Sequence, residues 1–275
     1  MKRKTTKRAK ILMCFMIAII IVFGGLIIKS IYNIAINANG QEYIQRNYYN
    51  LENIYEKNGL KYYDDGEITS LAGIDVSTYQ KNIDWQQVKD SGIDFAIIRA
   101  GYRTRVGGEI HIDDKFQSNI KNATSVGMDV GVYFFSQAIS KREAREEARF
   151  AVNAVKGYDL SYPIVFDMEY VDGEDRIKVL TNEEKTDIAV AFCKEVKRYG
   201  YKPMIYGNTN WLTGEVSLED FEDYDLWLAD YSDNPEFIYK FKMWQYTHLG
   251  RVDGIKGNVD LNVLFIEKEK EKEER

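Results

Sequence analysis

The chain has 275 residues, of which 45% are hydrophobic and 29% charged, and this mix excludes disordered, collagen-like and low-complexity proteins. Residues 1–28 hold six basic and no acidic side chains, which leaves 31 basic against 43 acidic residues, a net charge of −12, for the remainder. A body this acidic argues against electrostatic binding of DNA or RNA. The two cysteines, Cys14 and Cys193, exclude a disulfide scaffold.

The first predicted element is a transmembrane signal-anchor helix at residues 11–31. Ile11 to Ile28 is an uncharged run of 18 residues, close to the ~20 residues that span a bilayer. Basic residues precede this run and only Lys29 closely follows it, so residues 1–10 are predicted to be cytoplasmic and the body extracytoplasmic. The alternative is a secreted protein with a cleaved signal peptide, for which the apolar run is long.

Residues 32–70 are predicted to form an extracytoplasmic linker or stalk. Ile44, Tyr48, Leu51 and Tyr55 recur with helical spacing, so an amphipathic stalk helix is expected here. The pattern leaves open whether this helix packs on the body, pairs with a second copy or lies on the membrane. The oligomeric state is therefore unknown from the sequence.

The body, residues 71–266, alternates between strand and helix patterns. Strands are predicted at 73–77, 95–102, 129–136, 163–170, 203–208, 224–231, 241–246 and 258–265, with helices at 83–91, 113–126, 140–156 and 182–199. This alternation indicates an α/β fold with a parallel sheet, and eight strands suggest a closed barrel. Because the gaps after the sixth and seventh strands are short, we predict an irregular TIM-like barrel of about five βα units followed by three strands. A charged tail is predicted at 267–275.

Four carboxylates lie at the ends of predicted strands: Asp75, Asp167, Glu169 and Asp260. Barrel active sites form at the C-terminal ends of the strands. Asp167 and Glu169 are two residues apart, so their side chains share one face of a strand. Burying both is unfavourable unless they are paired or used, and close carboxylates raise one pKa, which suits a general acid. The alternative is an exposed acidic pair at a turn.

Other kinds of site have little support. Four carboxylates would suit Ca²⁺ or Mg²⁺, which is the alternative to a catalytic role for them. A zinc site is not indicated, because His111 and His248 lack the spacing of zinc ligands. No G-x-S-x-G motif indicates a serine hydrolase, and no G-x-G-x-x-G motif indicates a dinucleotide site. We therefore predict neither a metal nor a cofactor.

Aromatic and amide side chains fall near the same strand ends as the acids. They are Tyr133, Tyr206, Tyr231, Trp244 and Gln245. Flat aromatic faces beside carboxylates are suited to binding a sugar, so these residues are predicted to contact substrate. A place in the core is the alternative for each of them.

Nine short segments follow one another in a fixed order through the body. They are GIDVS at 73–77, IDW at 83–85, IRAGY at 98–102, GVYF at 131–134, PIVFDME at 163–169, MIY at 204–206, LWLA at 226–229, WQY at 244–246 and VDLN at 259–262. In this order they resemble glycoside hydrolase family 25, the Chalaropsis-type lysozymes or N-acetylmuramidases. The resemblance covers about residues 72–266 and implies an irregular barrel of five βα units plus three strands.

The resemblance also implies an activity and roles for the four acids. The activity is hydrolysis of the β-1,4 bond between N-acetylmuramic acid and N-acetylglucosamine, with peptidoglycan strands as the partner. Glu169 matches the proton donor, Asp167 its partner carboxylate, and Asp75 and Asp260 the further acids of the cleft. Asp167 could act as a nucleophile, as a base for water, or as the group that orients the substrate's own N-acetyl. We favour the last of these.

Two other functions remain open at this stage. One is a non-catalytic tether that binds peptidoglycan, which would need the cleft but not Glu169. The other is a chitinase-like N-acetylglucosaminidase, since that class shares the D-x-E pair. Combined with the basic N-terminus, the preferred interpretation is a membrane-anchored lysozyme facing the wall of a Gram-positive bacterium.

Overall fold

In residues 44–171, 173, 175–233 and 235–268, which the computed structural model describes, the chain forms eleven strands and four α-helices. The strands are Ile54–Lys57 (β1), Leu60–Tyr63 (β2), Ile68–Val76 (β3), Phe95–Arg103 (β4), Ile110–Ile112 (β5), Asp129–Phe135 (β6), Ile164–Asp167 (β7), Pro203–Asn208 (β8), Asp225–Ala229 (β9), Met243–Gly250 (β10) and Val259–Glu267 (β11). β1 and β2 form a hairpin, and the others form one sheet.

Eight strands of this sheet close into a mixed barrel. Their order is β3-β4-β6-β7-β8-β9-β10-β11, and β11 pairs with β3 to complete the ring. Neighbours from β3 to β10 are parallel, whereas β11 is antiparallel to both β10 and β3. Buried side chains fill the barrel interior, among them Phe95, Ile97, Val165 and Met204.

The four α-helices lie in the connections between the early strands. They are Trp85–Asp90 (α1), Phe116–Ser125 (α2), Lys141–Ala154 (α3) and Asn182–Arg198 (α4). A capping box formed by Thr181 and Glu184 starts α4, because its side chains satisfy the free N–H groups of the first turn. Phe192 of α4 is buried in the outer core. Cys193 is a buried free thiol.

The predicted TIM-like barrel of five βα units followed by three strands is wrong. After β8 the chain forms a π-helical turn, Trp211–Glu215, and a 3₁₀ turn, Leu218–Phe221, in place of a fifth α-helix. Residues 251–258, between β10 and β11, are fewer than the dozen or so that a parallel crossover needs. The last strand therefore returns antiparallel, and the barrel is mixed.

The predicted stalk helix is also wrong where the structure describes it. Leu51–Asn53 is a single 3₁₀ turn, followed by the hairpin of β1 and β2. Asn58 and Gly59 both have positive φ at its turn, and Asn-Gly is the strongest short signal for such a hairpin. Tyr49 stacks on Phe265 of β11, with ring centroids 3.8 Å apart, so this segment packs against the barrel.

Several predicted segments lie outside the described residues. These are the cytoplasmic segment at 1–10, the transmembrane helix at 11–31, the linker up to residue 43 and the tail from residue 269. Within the described part of the chain, no helix combines the length and the hydrophobicity needed to cross a bilayer.

Gly73 on β3 permits close packing inside the barrel. A Cβ at this position would overlap the ring of Phe95, which is fully buried. We expect Gly73→Ala to lower the free energy of unfolding by about 3 kcal/mol, since overpacking displaces core side chains. Urea denaturation would measure the change.

Gly214→Ala is the matched control for this substitution. A Cβ at Gly214 would meet no atom within 4 Å, so its effect should stay within ~0.5 kcal/mol. Equal stabilities of the two variants would contradict the packing argument.

Candidate active site

The structure brings the four sequence-predicted acids to one end of the barrel. Asp75 and Asp167 lie at the C-terminal ends of β3 and β7, and Glu169 follows two residues after Asp167. Asp260 lies near the start of β11, whose antiparallel direction puts that end at the same edge, directly opposite Asp75. All four line a cleft of about 720 Å³.

Asp75 is held by a network of amide side chains. Its Oδ2 accepts hydrogen bonds from Gln245 Nε2 at 2.8 Å and from Asn262 Nδ2 at 2.9 Å. Gln245 Oε1 in turn accepts from the hydroxyls of Tyr206 and Tyr231, at 3.0 and 2.8 Å. Because each amide is bonded at both ends, the network fixes the orientation of the Asp75 carboxyl.

Asp167 and Asp75 are the two most buried of the four acids. The Oδ1 atom of Asp167 has no hydrogen-bond partner among the described residues. Burial raises the pKa of Asp167 well above its usual range, and the carboxylates of Glu169 and Asp75 raise it further, while Arg99 lowers it. A buried acceptor without a donor is available to a ligand.

The other acids share this environment. Burial, with the nearby charge of Asp260, raises the pKa of Glu169 to about 7. Burial also raises the pKa of Asp260 to about 6, against an opposing effect of His248. The pKa of Asp75 is raised well above its usual range by burial and then by Asp260. The cluster therefore retains protons near neutral pH, which is the condition a general acid requires.

Four of the five predicted contact residues line the cleft with the acids: Tyr133, Tyr206, Tyr231 and Gln245. The structure does not bring Trp244 there. Its side chain is fully buried, and its Nε1 donates to the Asp230 carbonyl at 2.7 Å. Since successive residues of a strand face opposite sides, Gln245 faces the cleft and Trp244 faces the outer core.

The family model of the glycosyl hydrolases family 25 matches residues 74–255. The chain belongs to this family. It is therefore a glycoside hydrolase, and the strand-end acids described above lie within the matched region or just beyond it.

The chain is also similar to individual proteins. The uncharacterised protein YegX of Escherichia coli (strain CFT073) is 33% identical over 205 residues, which are 71% of this chain and 70% of YegX. The bacterial lysozyme structure from Streptomyces coelicolor has a TM-score of 0.62 and 26% identity, covering 73% of this chain and 93% of that one.

A third relative is the modular autolysin LytC from Streptococcus pneumoniae, whose structure was solved in complex with a synthetic peptidoglycan ligand. The TM-score is 0.65 and the identity 25%. The likeness covers 76% of this chain and 51% of the autolysin, so the chain spans about half of that protein.

Trp227 and Arg99 are among the residues that line the cleft of this family 25 enzyme and were not predicted from the sequence. Trp227 faces the cleft from β9, and its Nε1 donates to Asn262 Oδ1 at 2.8 Å. Arg99 faces it from β4. A charge within the apolar run 95–102 was an available signal for Arg99, because such a residue is rarely buried unless paired. No group of three or more His, Cys, Asp or Glu in the described residues is arranged to hold a metal ion.

Tyr170 ties the loop that carries Glu169 to the rest of the family 25 domain. Its hydroxyl donates to Glu215 Oε2 at 2.7 Å, and the buried ammonium of Lys185 binds the same oxygen. Lys185 also lies over the rings of Tyr170 and Trp211, 5.2 and 5.6 Å from their centroids. These contacts restrain the residue that follows Glu169 in the chain.

We expect Tyr170→Phe to lower kcat by about tenfold, because a small displacement of a positioned group is costly to the reaction. The stability loss should be about 1 kcal/mol, as for one hydrogen bond to a charged group at a partly exposed site. Steady-state kinetics and urea denaturation would give the two values. Tyr62→Phe is the control, because the Tyr62 hydroxyl bonds the Gly92 carbonyl away from the cleft; equal kcat values for both variants would contradict the positioning role.

Proposed function

We propose that this glycoside hydrolase is a lysozyme that cleaves the β-1,4 bond between N-acetylmuramic acid and N-acetylglucosamine in peptidoglycan. The observation that carries the proposal is Glu169, whose pKa is raised to about 7, in one cleft with the buried Asp167. The relatives described above as a lysozyme and as an autolysin bound to a peptidoglycan ligand support the same substrate.

Glu169 is proposed as the general acid. With a pKa near 7 it holds a proton under neutral conditions and can deliver it to the leaving glycosidic oxygen as the C1–O bond breaks. The resulting Glu169 carboxylate then accepts a proton from the attacking water, which restores the starting state.

Asp167 is proposed to orient the substrate's own N-acetyl group. The acetamido N–H would donate to Asp167 Oδ1, the atom without a partner among the described residues, and this donation would favour the ionised carboxylate. The acetamido carbonyl oxygen then bonds to C1 as the leaving group departs, and water opens that bond in the second step. Such substrate assistance is a known exception to the two-carboxylate mechanisms.

Asp75 and Asp260 are proposed to support these two acids. Asp75 is fixed by Gln245 and Asn262 and is opposite Asp260 in the β3–β11 pair. Their negative charges raise the pKa values of neighbouring carboxyls, which keeps the proton on the cluster until substrate binds. Tyr133, Tyr206 and Tyr231 would supply the aromatic wall against the sugar rings.

The proposed location is outside the cytoplasm, with the enzyme held at the membrane through residues 11–31. The uncharged run Ile11–Ile28 and the basic residues before it support this location. Resistance of the full chain to extraction from membranes by alkaline carbonate would test it, and recovery in the culture medium would favour secretion instead.

Digestion of purified peptidoglycan by the full chain tests the proposed activity. Released fragments are separated, and the sugar that carries each new reducing end is identified by borohydride reduction and mass spectrometry. New ends on muramic acid are expected. New ends on glucosamine would overturn the bond assignment, and binding to the wall without any release would overturn the enzymatic proposal.

A further inference from the structure

The cleft also holds an arginine, on a strand between those that carry Asp75 and Asp167. Arg99 lies on β4 directly opposite Tyr133 of β6, and both side chains line the cleft. β6 separates this strand from β7, which carries Asp167. Adjacent strands lie about 4.8 Å apart, so the β4 and β7 backbones are about 10 Å apart and Arg99 can reach a part of a bound glycan next to the bond that is cleaved.

One edge of the Arg99 guanidinium is fixed by a buried acid. Nε and Nη2 both contact Asp113 Oδ2 at 2.7 Å, and the Asp113 side chain is fully buried. Asp113 is itself fixed by the backbone N–H groups of Thr78 and Lys115. A guanidinium has five N–H groups in a rigid fork, so the N–H groups of Nη1, which bond no other described residue, are left for a ligand.

Two aromatic rings flank this guanidinium. Its central carbon lies 5.2 Å from the ring centroid of Tyr79 and 5.5 Å from that of Tyr102. Tyr102 stacks on His111, with centroids 5.6 Å apart. Tyr79 lines the cleft and is 77% exposed, so its ring presents a large apolar face to a ligand bound beside Arg99.

Arg103 also lines the cleft, but all three nitrogens of its guanidinium contact other residues of the protein. Its Nε binds Glu147 at 2.6 Å, its Nη1 donates to the Gly108 carbonyl, and Glu146 lies 3.6 Å from Nη2. Arg99 differs because its acidic partner occupies only one edge of the fork. An arginine held in this way binds a carboxylate with defined geometry.

We propose that Tyr79, Arg99 and Tyr102 form a subsite for a sugar unit that carries a carboxylate. The Arg99 Nη1 edge binds the carboxylate, and the rings of Tyr79 and Tyr102 contact the apolar face of the unit. This inference rests on the proposed function, which supplies the substrate class. In peptidoglycan the carboxylate belongs either to the lactyl group of a muramic acid without a peptide or to the stem peptide.

Three forms of one glycan test the subsite with the full chain. The first is purified peptidoglycan, the second is the same material with its carboxyl groups converted to amides, and the third has its peptides removed so that lactyl carboxylates are free. Wild-type kcat/KM is expected to fall by about tenfold or more on amidation, the effect of losing a charge-assisted hydrogen bond. Arg99→Gln should show that loss on unmodified peptidoglycan and no further loss on amidation.

If Arg99→Gln lowers activity on the peptide-free glycan, the carboxylate belongs to the lactyl group. If Arg99→Gln lowers activity only on the intact peptidoglycan, the carboxylate belongs to the stem peptide. Either result supports the subsite. Arg198→Gln is the matched control, because Arg198 is an exposed residue at the end of α4 that pairs with Glu195 and does not line the cleft. The double variant Arg99→Gln/Asp113→Asn removes both charges of the pair and covers the case in which Arg99→Gln alone fails to fold.

Equal wild-type activity on the native and amidated glycans, together with no loss from Arg99→Gln on the peptide-free glycan, would overturn the subsite and leave the proposed lysozyme activity intact. So would an Arg99→Gln variant that loses as much activity on amidation as wild type does. Release of no fragment from any of the three by the wild-type enzyme would overturn the proposed function, and the subsite with it.

Discussion

Glu169→Gln is expected to reduce kcat on peptidoglycan by about 10²- to 10⁴-fold, the usual contribution of a positioned general acid. Glutamine has nearly the same shape but cannot deliver a proton to the leaving oxygen. Substrate binding depends on other residues of the cleft, so KM should change little. Release of reducing ends, measured at several glycan concentrations, separates the two parameters.

Glu183→Gln is the matched control for this variant. Glu183 lies exposed in the first turn of α4, so the same chemical change is made away from the cleft. Circular dichroism of both variants should match wild type. A Glu169→Gln variant that retains wild-type kcat would contradict the role of Glu169 as proton donor.

Local patterns predicted most of the barrel strands and helices, because strand and helix periodicities are properties of short segments. The same reasoning placed Asp167 and Glu169 on one face, since a separation of two residues is enough to establish it. The proximity of Asp75 and Asp260 could be predicted only from closure of the barrel, because these residues pair across β3 and β11. Strand count suggested closure, but the direction of the last strand depended on the short loop before it.

Other features depend on tertiary register or on contacts distant in the sequence. Trp244 and Gln245 are neighbours in β10, and a shift of one residue in register would exchange their faces. The pairing of Arg99 with Asp113 depends on how the chain turns after β4, which no local pattern specifies. The helical spacing before Tyr55 was misleading because the Asn-Gly turn after it forms a hairpin that packs on the barrel.

The second large effect of Glu169→Gln is on stability, which is expected to increase while the activity decreases. The pKa of Glu169 is raised from 4.5 to about 7 in the folded state, so the folded protein binds this proton more tightly than the unfolded chain. The resulting stabilisation is fully present below pH 4.5 and is lost as the pH rises through about 7. At 1.36 kcal/mol per pKa unit, the loss is at most about 3 kcal/mol.

Glu169→Gln should therefore stabilise the fold at pH 8 by up to about 3 kcal/mol and leave it nearly unchanged at pH 4. Glutamine is neutral at both pH values and occupies the place of the protonated acid. Asp167→Asn should shift stability in the same direction, because burial also raises the pKa of Asp167. Urea denaturation at the two pH values measures these differences, and Glu183→Gln should stay within ~0.5 kcal/mol of wild type at both. If the effect of Glu169→Gln on stability does not vary with pH, the pKa of Glu169 is not raised in the folded state. If the expected variation is found, the same buried charge cluster that holds a proton for the reaction also lowers the stability of the enzyme at neutral pH, as functional sites often do.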